Sequence, residues 1–339
     1  MDGVARLAQR ERDELFNETV SKRGDMPFVI IEKDFWVCWA LEKIFTIKDP
    51  PLNIIFKGGT TLSKVFNVIN RFSEDIDLSI LRDDLGFSGN KDVTADLSGK
   101  QIRKRLDDIQ SKCITFISDS FLPALKESFM KVLGEDVFWE LSVDEKDPQT
   151  ILFVYPREMK QPSQDYVKPT IWLELGARSD HWPASEYIIK PYSAEEFPEH
   201  FSRPSCTIKT LEIERTFWEK ATILHAQYHR SKDLAIPDRF SRHYYDLALM
   251  IKAGLGDKAL SNIYLLDTVR EHNSLFFKCS WASYNTAVPG TLKLVPLKFR
   301  LNALKHDYRL MQQMIFSIAP SFEEIMEYLQ EFEDRINNY

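Results

Sequence analysis

Apolar and polar residues alternate between positions 54 and 80 in a pattern that predicts a strand, a turn, a helix and a second strand. The first strand holds the apolar residues Leu52, Ile54, Ile55 and Phe56. It ends at Gly58-Gly59, where the chain can turn sharply because glycine has no Cβ. Thr60 or Thr61 is placed to cap a helix running to about Ile69. The second strand alternates over Asp75, Ile76, Asp77, Leu78, Ser79 and Ile80.

The second strand presents two carboxylates side by side. Successive side chains of a strand point to opposite faces, so Asp75 and Asp77 share one face. Neighbouring carboxylates repel each other and burial raises the cost, which predicts a compensating cation. Their oxygens suit Mg²⁺ or Mn²⁺, with nucleotide phosphates completing the coordination shell. The alternative is a half-exposed strand with two solvated aspartates. The glycine turn upstream favours the metal site, because a helix N-terminus there offers free N–H groups to a phosphate.

Three more strands are predicted downstream, over residues 137–143, 150–155 and 170–175. The last carries Glu174 among apolar neighbours, and an acid in such a strand is rarely buried without a partner. Glu174 is therefore a candidate third carboxylate. Glu140 and Asp144 compete with it, but their more polar surroundings favour solvation. The alternative for Glu174 is an edge-strand position or a structural pair with Arg178.

The rest of the chain reads mainly as helices. Apolar residues recur at helical spacing over residues 4–23, 30–45, 98–133 (with a break at Pro123), 207–229, 239–251, 301–316 and 321–337. Three prolines make 187–204 resemble a linker. Ser321 and Glu324 have the spacing of a capping box. Lys220 flanks an apolar stripe of its helix. A solvated lysine whose alkyl stem lies over apolar side chains would show the same pattern. Asp246 lies off its own stripe, four residues from Arg242, which allows an ion pair between them.

Composition sets limits on the function. The chain has 339 residues, 44% of them hydrophobic and 28% charged, which is typical of a soluble globular protein. No apolar run is long enough to span a bilayer, and the N-terminus lacks a signal-peptide core. Four cysteines without metal-ligand spacing indicate reduced thiols and a cytoplasmic protein. The net charge of −7 argues against general nucleic-acid binding, so an RNA site requires a local basic patch.

Two segments together resemble a known family. Lys57-Gly58-Gly59-Thr60-Thr61-Leu62-Ser63-Lys64 and Arg71-Phe72-Ser73-Glu74-Asp75-Ile76-Asp77-Leu78 are similar to motifs of the AbiEii/AbiGii (MenT-like) toxin nucleotidyltransferases. These toxins belong to the polymerase-β-like nucleotidyltransferase superfamily and to bacterial toxin–antitoxin and abortive-infection systems. The segments 214–220 and 241–247 resemble later motifs of the same family.

The resemblance implies an α+β fold with a polymerase-β-like nucleotidyltransferase core, a mixed sheet with flanking helices, and a C-terminal helical domain. We expect N-terminal helices over 1–48, the catalytic domain over 49–205 and the helical domain over 206–339, which completes the active-site cleft. The implied activity is transfer of a nucleotide from a nucleoside triphosphate to an acceptor, with release of pyrophosphate. The implied acceptor is the tRNA 3′ end, and the implied partner is an antitoxin.

The resemblance also implies roles for single residues. Mg²⁺ or Mn²⁺ would bind to Asp75, Asp77 and Glu174, which are catalytic together with Lys220 and Asp246. The nucleotide-binding residues would be Gly58, Gly59, Thr60, Lys64, Ser73, Lys220 and Arg242. Ser73 also follows from the strand pattern, because in an extended segment it shares a face with Asp75. Two alternatives remain: transfer to a small molecule or a protein hydroxyl, and a catalytically silent binding module.

Overall fold

The computed structural model describes residues 1–24, 26–49, 53–73, 75–157, 169–316 and 318–339. Leu52 of the predicted strand and Glu74 of the motif lie outside these ranges. The chain forms two compact units. Unit 1 consists of Met1–Val65, Glu74–Asp92 and Arg103–Thr210, and unit 2 of Phe66–Ser73, Val93–Ile102 and Leu211–Tyr339. Unit 2 therefore includes two short segments, 66–73 and 93–102, of the range 49–205 that was predicted as the catalytic domain.

A seven-stranded mixed sheet is built from β1 (Ile54–Lys57), β2 (Asp75–Ile80), β3 (Glu140–Val143), β4 (Thr150–Val154), β5 (Thr170–Gly176), β6 (Ala184–Ile189) and β7 (Cys206–Leu211). The strand order is β3-β4-β5-β2-β1-β7-β6. At the centre, β2 is parallel to β5 and antiparallel to β1. The α+β class predicted from the sequence is confirmed.

Alternation along β2 and β5 gives the sheet two different faces. Ile76 and Leu78 of β2 share the buried face with Ile171 and Leu173 of β5. Aromatic residues of two helices cover the same face at β4, where the ring of Phe153 lies 4.8 Å from that of Phe129 and about 6 Å from those of Trp36 and Trp39. The opposite face carries the acids of β2 and β5, as the alternation predicted.

The helices before position 210 are α1 (Asp2–Ala5), α2 (Gln9–Arg23), α3 (Phe28–Thr46), α4 (Gly59–Lys64), α5 (Gly99–Phe116), α6 (Leu122–Leu133) and α7 (Tyr192–Glu196). The predicted break at Pro123 is instead a π-helical turn over Ile117–Phe121. Pro123 lies in the first turn of α6, where its missing N–H has no intrahelical partner to lose.

Two predictions about the end of unit 1 are wrong. The linker expected over 187–204 is structured: β6 ends at Ile189 and α7 follows, anchored by the Tyr192 N–H, which donates to Asp34 Oδ2 at 2.7 Å. Residues from Thr207 are not helical but belong to β7, which pairs with β1. The burial of Ile208 and Thr210 between exposed neighbours shows the strand alternation that the helical interpretation missed.

The helices after position 210 are α8 (Ile213–His229), α9 (Ser241–Lys252), α10 (Leu255–Ser261), α11 (Tyr264–Phe276), α12 (Leu301–Met311) and α13 (Phe322–Asn337). The capping box is confirmed: Ser321 Oγ accepts from the Glu324 N–H at 3.1 Å, and Glu324 Oε2 accepts from the Ser321 N–H at 2.6 Å. The helix predicted over 301–316 ends early, because Ile315 forms a β-bridge with Arg71. In the described ranges, no helix is both long and apolar enough to cross a membrane.

A buried carboxyl on α3 makes the stability of unit 1 depend on pH. Burial raises the pKa of Glu32 to about 7, although Arg157 pairs with the carboxylate and lowers the pKa in part. A carboxyl whose folded-state pKa is raised stabilises the fold below its unfolded pKa of about 4.3. That stability is lost as the pH rises through about 7, because the buried group must then ionise.

We predict that Glu32→Gln flattens the pH dependence of unfolding between pH 4.5 and 7.5. Relative to the variant, the wild-type protein should lose free energy of unfolding over this range, on the order of 3 kcal/mol. Urea unfolding at several pH values measures the difference. Parallel wild-type and Glu32→Gln curves over the whole range would contradict the raised pKa.

Candidate active site

The central strands bring acidic, basic and aromatic side chains together on the open face of the sheet. Asp77 of β2 is in register with Glu174 on parallel β5 and with Lys57 on antiparallel β1. Residues paired in register point to the same face, so the three side chains form one row. One step along the strands, Asp75 is in register with Trp172. Asp75, Asp77 and Glu174 are half-buried, so their carboxylates remain partly accessible to a ligand from solution.

The turn after β1 is shaped around Asp77. Gly58 has φ +84°, a conformation that side-chain-bearing residues rarely adopt. A Cβ on Gly58 would lie 1.9 Å from Asp77 Oδ2, well inside van der Waals contact. The Asp77 carboxylate therefore occupies the space that any other residue at position 58 would fill. This explains in physical terms why a glycine stands between the strand and helix α4.

The threonines after the turn do not cap the helix as predicted. The N-cap residue is Gly58, and α4 ends at Lys64 rather than near Ile69. Thr60 Oγ1 instead donates to the Asp75 carbonyl at 2.6 Å, and Thr61 Oγ1 donates to the Gly58 carbonyl at 2.7 Å. Both hydroxyls tie the turn to itself and to β2, which positions the strand that carries the two aspartates.

Lys64 is held inside unit 1. Its ammonium lies 2.7 Å from Asp34 Oδ1 and 3.8 Å from the centre of the Tyr192 ring. Both partners of the ion pair are buried. Burial lowers the pKa of Lys64, but the Asp34 carboxylate outweighs it and the net pKa is raised. Lys64 thereby joins α3, α4 and α7, and its nucleotide-binding role stays a prediction.

The face that carries the acids is buried at the other end of β2. Ser79 of β2 is fully buried, and its hydroxyl lies 2.9 Å from His181 Nε2. Burial, followed by the charge of Arg82, lowers the pKa of His181 to about 4, so the imidazole is neutral at pH 7. Ser79 is therefore shielded from solvent, unlike the half-buried acids on the same strand.

The acids fit a divalent cation by their chemistry. Three carboxylates on adjacent positions of two parallel strands provide hard oxygen donors, as Mg²⁺ and Mn²⁺ prefer. Among the residues that the structure describes, no three acidic, histidine or cysteine side chains already converge in a metal-ligating cluster. Glu174 nevertheless lies on the strand beside β2, whereas its competitor Glu140 lies on the edge strand β3.

Unit 2 contains a second candidate group, which is an ion cluster around Asp246 of α9. Arg71 Nε and Nη2 donate to the two oxygens of Asp246, each at 2.7 Å, and Lys220 Nζ of α8 lies 2.7 Å from Oδ2. Asp246 is fully buried although it lies off the apolar stripe of α9, because its carboxylate is paired with these two cations. Lys220 is also buried, which excludes the alternative of a solvated helix lysine.

Two cationic side chains share the carboxylate of Asp246. Burial alone would raise the pKa of Asp246, but Arg71 and Lys220 outweigh it and lower the pKa. Burial lowers the pKa of Lys220, and the charge of Arg71 adds to this effect while Asp246 opposes it. Arg71 and Lys220 therefore bring two positive charges to the same buried carboxylate.

The other predicted residues lie nearby in sequence. Arg242 is half-buried in the first turn of α9, and Ser73 is buried in segment 66–73 of unit 2. Their nucleotide-binding roles stay predictions. Sequence analysis assigned no role to Arg71 or Lys57. The position of Arg71 in the motif before Asp75 could have indicated a role for it. Its partner Asp246, however, lies 175 residues further along the chain.

Comparisons with known proteins identify the family. The family model described as nucleotidyl transferase AbiEii toxin, type IV toxin–antitoxin system, matches residues 39–331. No curated protein matches the sequence significantly. A solved structure of MenT4, a nucleotidyltransferase toxin from Mycobacterium tuberculosis, matches with 13% identity and a TM-score of 0.35, covering 96% of this chain and 97% of that one. That likeness is too low to support an argument.

The family match covers most of the chain. The chain belongs to the AbiEii nucleotidyl transferase toxin family. It is thus a nucleotidyltransferase and the toxin of a toxin–antitoxin system.

We predict that Gly58→Ala reduces nucleotidyl transfer by about 100-fold, because the new Cβ displaces the Asp77 carboxylate. Gly86→Ala is the matched control: Gly86 has the same φ of +84° and nothing within 4 Å of its Cβ position. Gly86→Ala should lose about 1–2 kcal/mol of stability from backbone strain. Gly58→Ala should lose more, because ψ is −162° at Gly58 but 21° at Gly86, and only glycine adopts the first conformation readily. Equal activity in the two variants would show that Asp77 needs no such space.

We predict that Asp246→Asn costs about 3–5 kcal/mol of unfolding free energy, since it leaves two buried cations without a carboxylate. Lys220→Met should cost far less, because the bidentate pair of Arg71 and Asp246 remains and a costly buried charge is removed. Urea unfolding at pH 7 measures both. The reverse order of stability would mean that Lys220, not Asp246, holds the cluster together.

Proposed function

We propose that the chain transfers nucleotides from a nucleoside triphosphate to the 3′ end of a tRNA. The observation that carries this proposal is the register of Asp77 with Glu174, with Asp75 on the same face and the Gly58 turn beside them. This arrangement offers a triphosphate a glycine turn on one flank of β2 and carboxylates on the other. An acceptor hydroxyl would attack the α-phosphate, and pyrophosphate would leave.

Asp75, Asp77 and Glu174 would hold Mg²⁺ or Mn²⁺. Such ions neutralise phosphate charge and make a hydroxyl easier to deprotonate. Glu174, as the acid on the neighbouring strand, is the proposed acceptor of the hydroxyl proton. Gly58 and Gly59 let the triphosphate approach the backbone without a Cβ in the way. Thr60 keeps the turn fixed against β2 through its bond to the Asp75 carbonyl.

For unit 2 the proposal rests on the family motifs and on charge. Lys220 and Arg242 would supply positive charge to the triphosphate, Ser73 would contribute a hydroxyl, and Asp246 would hold Lys220 in place. The two cationic side chains beside Asp246 support this assignment, because they would attract a polyanion. Lys220→Met should therefore weaken nucleotide binding, measured by titration with a fluorescent triphosphate.

A tRNA is the proposed acceptor from the family resemblance, and a protein hydroxyl or a small molecule is the alternative. The cognate antitoxin is the proposed protein partner, and the cytoplasm, where these substrates occur, is the proposed location. The silent binding module is not proposed further, since the family is one of enzymes.

The test is an assay with purified protein, total RNA, Mg²⁺ and each labelled nucleoside triphosphate in turn. Label should appear in tRNA with the wild-type protein. We predict that Asp75→Asn, Asp77→Asn and Glu174→Gln each lower the rate by about 100-fold or more, since each removes an oxygen ligand. Glu140→Gln, on the exposed edge of the same sheet, should match the wild type.

Two results would contradict the proposal. Wild-type rates in Asp75→Asn and Asp77→Asn would remove the carboxylates from the mechanism. Label in protein or small molecules, with none in RNA, would replace the tRNA acceptor by one of the alternatives.

A further inference from the structure

A large aromatic side chain stands open to solvent beside the acids of unit 1. Trp172 of β5 is 47% exposed and lies in register with Asp75, so its indole is on the same face as the two aspartates. Glu174 follows on the same strand and face, roughly 6–7 Å further along. An indole usually buries most of its surface, because leaving it in water forfeits a large hydrophobic gain. Its exposure next to charged groups therefore needs a reason.

The two flanks of β2 differ in chemistry. On the β1 side lie the Gly58 turn and Lys57, which is in register with Asp77 and offers a cationic side chain to a phosphate group. On the β5 side lie Glu174 and Trp172, which offer a carboxylate and a flat aromatic surface. If the triphosphate occupies the first flank, the attacking hydroxyl reaches the α-phosphate from the second flank. The indole is then on the acceptor's side.

We propose that Trp172 stacks on the terminal base of the acceptor RNA and so places that nucleotide's hydroxyl beside Glu174. This inference rests on the proposed function, and it adds the feature by which the acceptor is recognised. Bases stack on aromatic side chains in single-stranded nucleic-acid sites, and the contact tolerates any base because every base has a π-face. The acceptor class that this surface fits is a strand ending in an unpaired nucleoside. A serine side chain has no ring, and a simple sugar has no aromatic base to stack there.

The acidity of the chain is consistent with such a contact. Its net charge of −7 provides no general attraction for RNA. Recognition through one stacked base at the reactive end requires little electrostatic attraction to the rest of the strand. Trp172 thus acts as a positioning residue for the hydroxyl and takes no part in bond making.

The experiment uses a tRNA acceptor-stem oligonucleotide in two forms, one ending in adenosine and one ending in an abasic ribose with both hydroxyls. Wild-type protein should prefer the intact form in kcat/KM by about 5- to 150-fold, the range of one stacked base. Trp172→Ala should lower kcat/KM for the intact form by a similar factor and leave the abasic form unchanged. The preference should disappear, while KM for the nucleoside triphosphate stays the same.

Matched variants separate stacking from structural damage. Trp172→Phe should recover much of the preference, because a smaller ring still stacks. Phe138→Ala removes an aromatic side chain that is 70% exposed just before β3 and should behave as the wild type. Binding of the fluorescently labelled intact oligonucleotide without triphosphate, followed by anisotropy, should weaken in Trp172→Ala but not in Phe138→Ala.

Three outcomes would overturn the inference. An equal loss for both oligonucleotides in Trp172→Ala would indicate a structural role. A higher KM for the triphosphate with an unchanged acceptor preference would place the indole under the incoming base. Equal transfer by the wild-type protein to the intact and the abasic oligonucleotide would show that the terminal base is not recognised. Failure of the proposed function is a separate result, because wild-type protein would then label neither form.

Discussion

The space that Gly58 leaves open for the Asp77 carboxylate is the constraint on which the candidate site depends. A Cβ at position 58 would lie 1.9 Å from Asp77 Oδ2, so strand β1, its turn and strand β2 can take this arrangement with glycine alone. The same contact brings the glycine turn next to the acids.

Strand register carries the arrangement across the sheet. Asp77 pairs with Glu174 and Asp75 pairs with Trp172, so one parallel contact between β2 and β5 sets four side chains on one face. Shifting β5 by one residue would turn Glu174 and Trp172 into the core and expose Leu173. Burial of Ile171, Leu173 and Leu175 therefore protects the register of the acids, although none of these residues takes part in the chemistry.

Unit 2 contains a buried ion cluster in addition to its apolar core. Asp246 lies between Arg71 and Lys220, and all three side chains are almost fully buried. The ion pair holds segment 66–73 to α9, and backbone bonds of Phe72 to Met314 and of Phe316 to Asn70 extend the connection. Removing Asp246 takes away the carboxylate that both cations share, whereas removing Lys220 leaves the pair of Arg71 and Asp246 intact.

Local pattern was sufficient for the elements and the acids: period-two alternation predicted β2 and β5, and a serine three residues before a glutamate predicted the cap of α13. Local pattern failed where a distant partner decides. The stretch 187–204 was predicted to be a linker, but a hydrogen bond from Tyr192 to Asp34 ties it to α3. The helix pattern around Lys220 and Asp246 likewise could not predict their burial in one cluster with Arg71. The sequence by itself thus determined which residues share a strand face, because side-chain direction follows from backbone geometry. Only the tertiary structure decided which strands are neighbours and which charges are buried together, because pairing and burial depend on residues far apart in the chain.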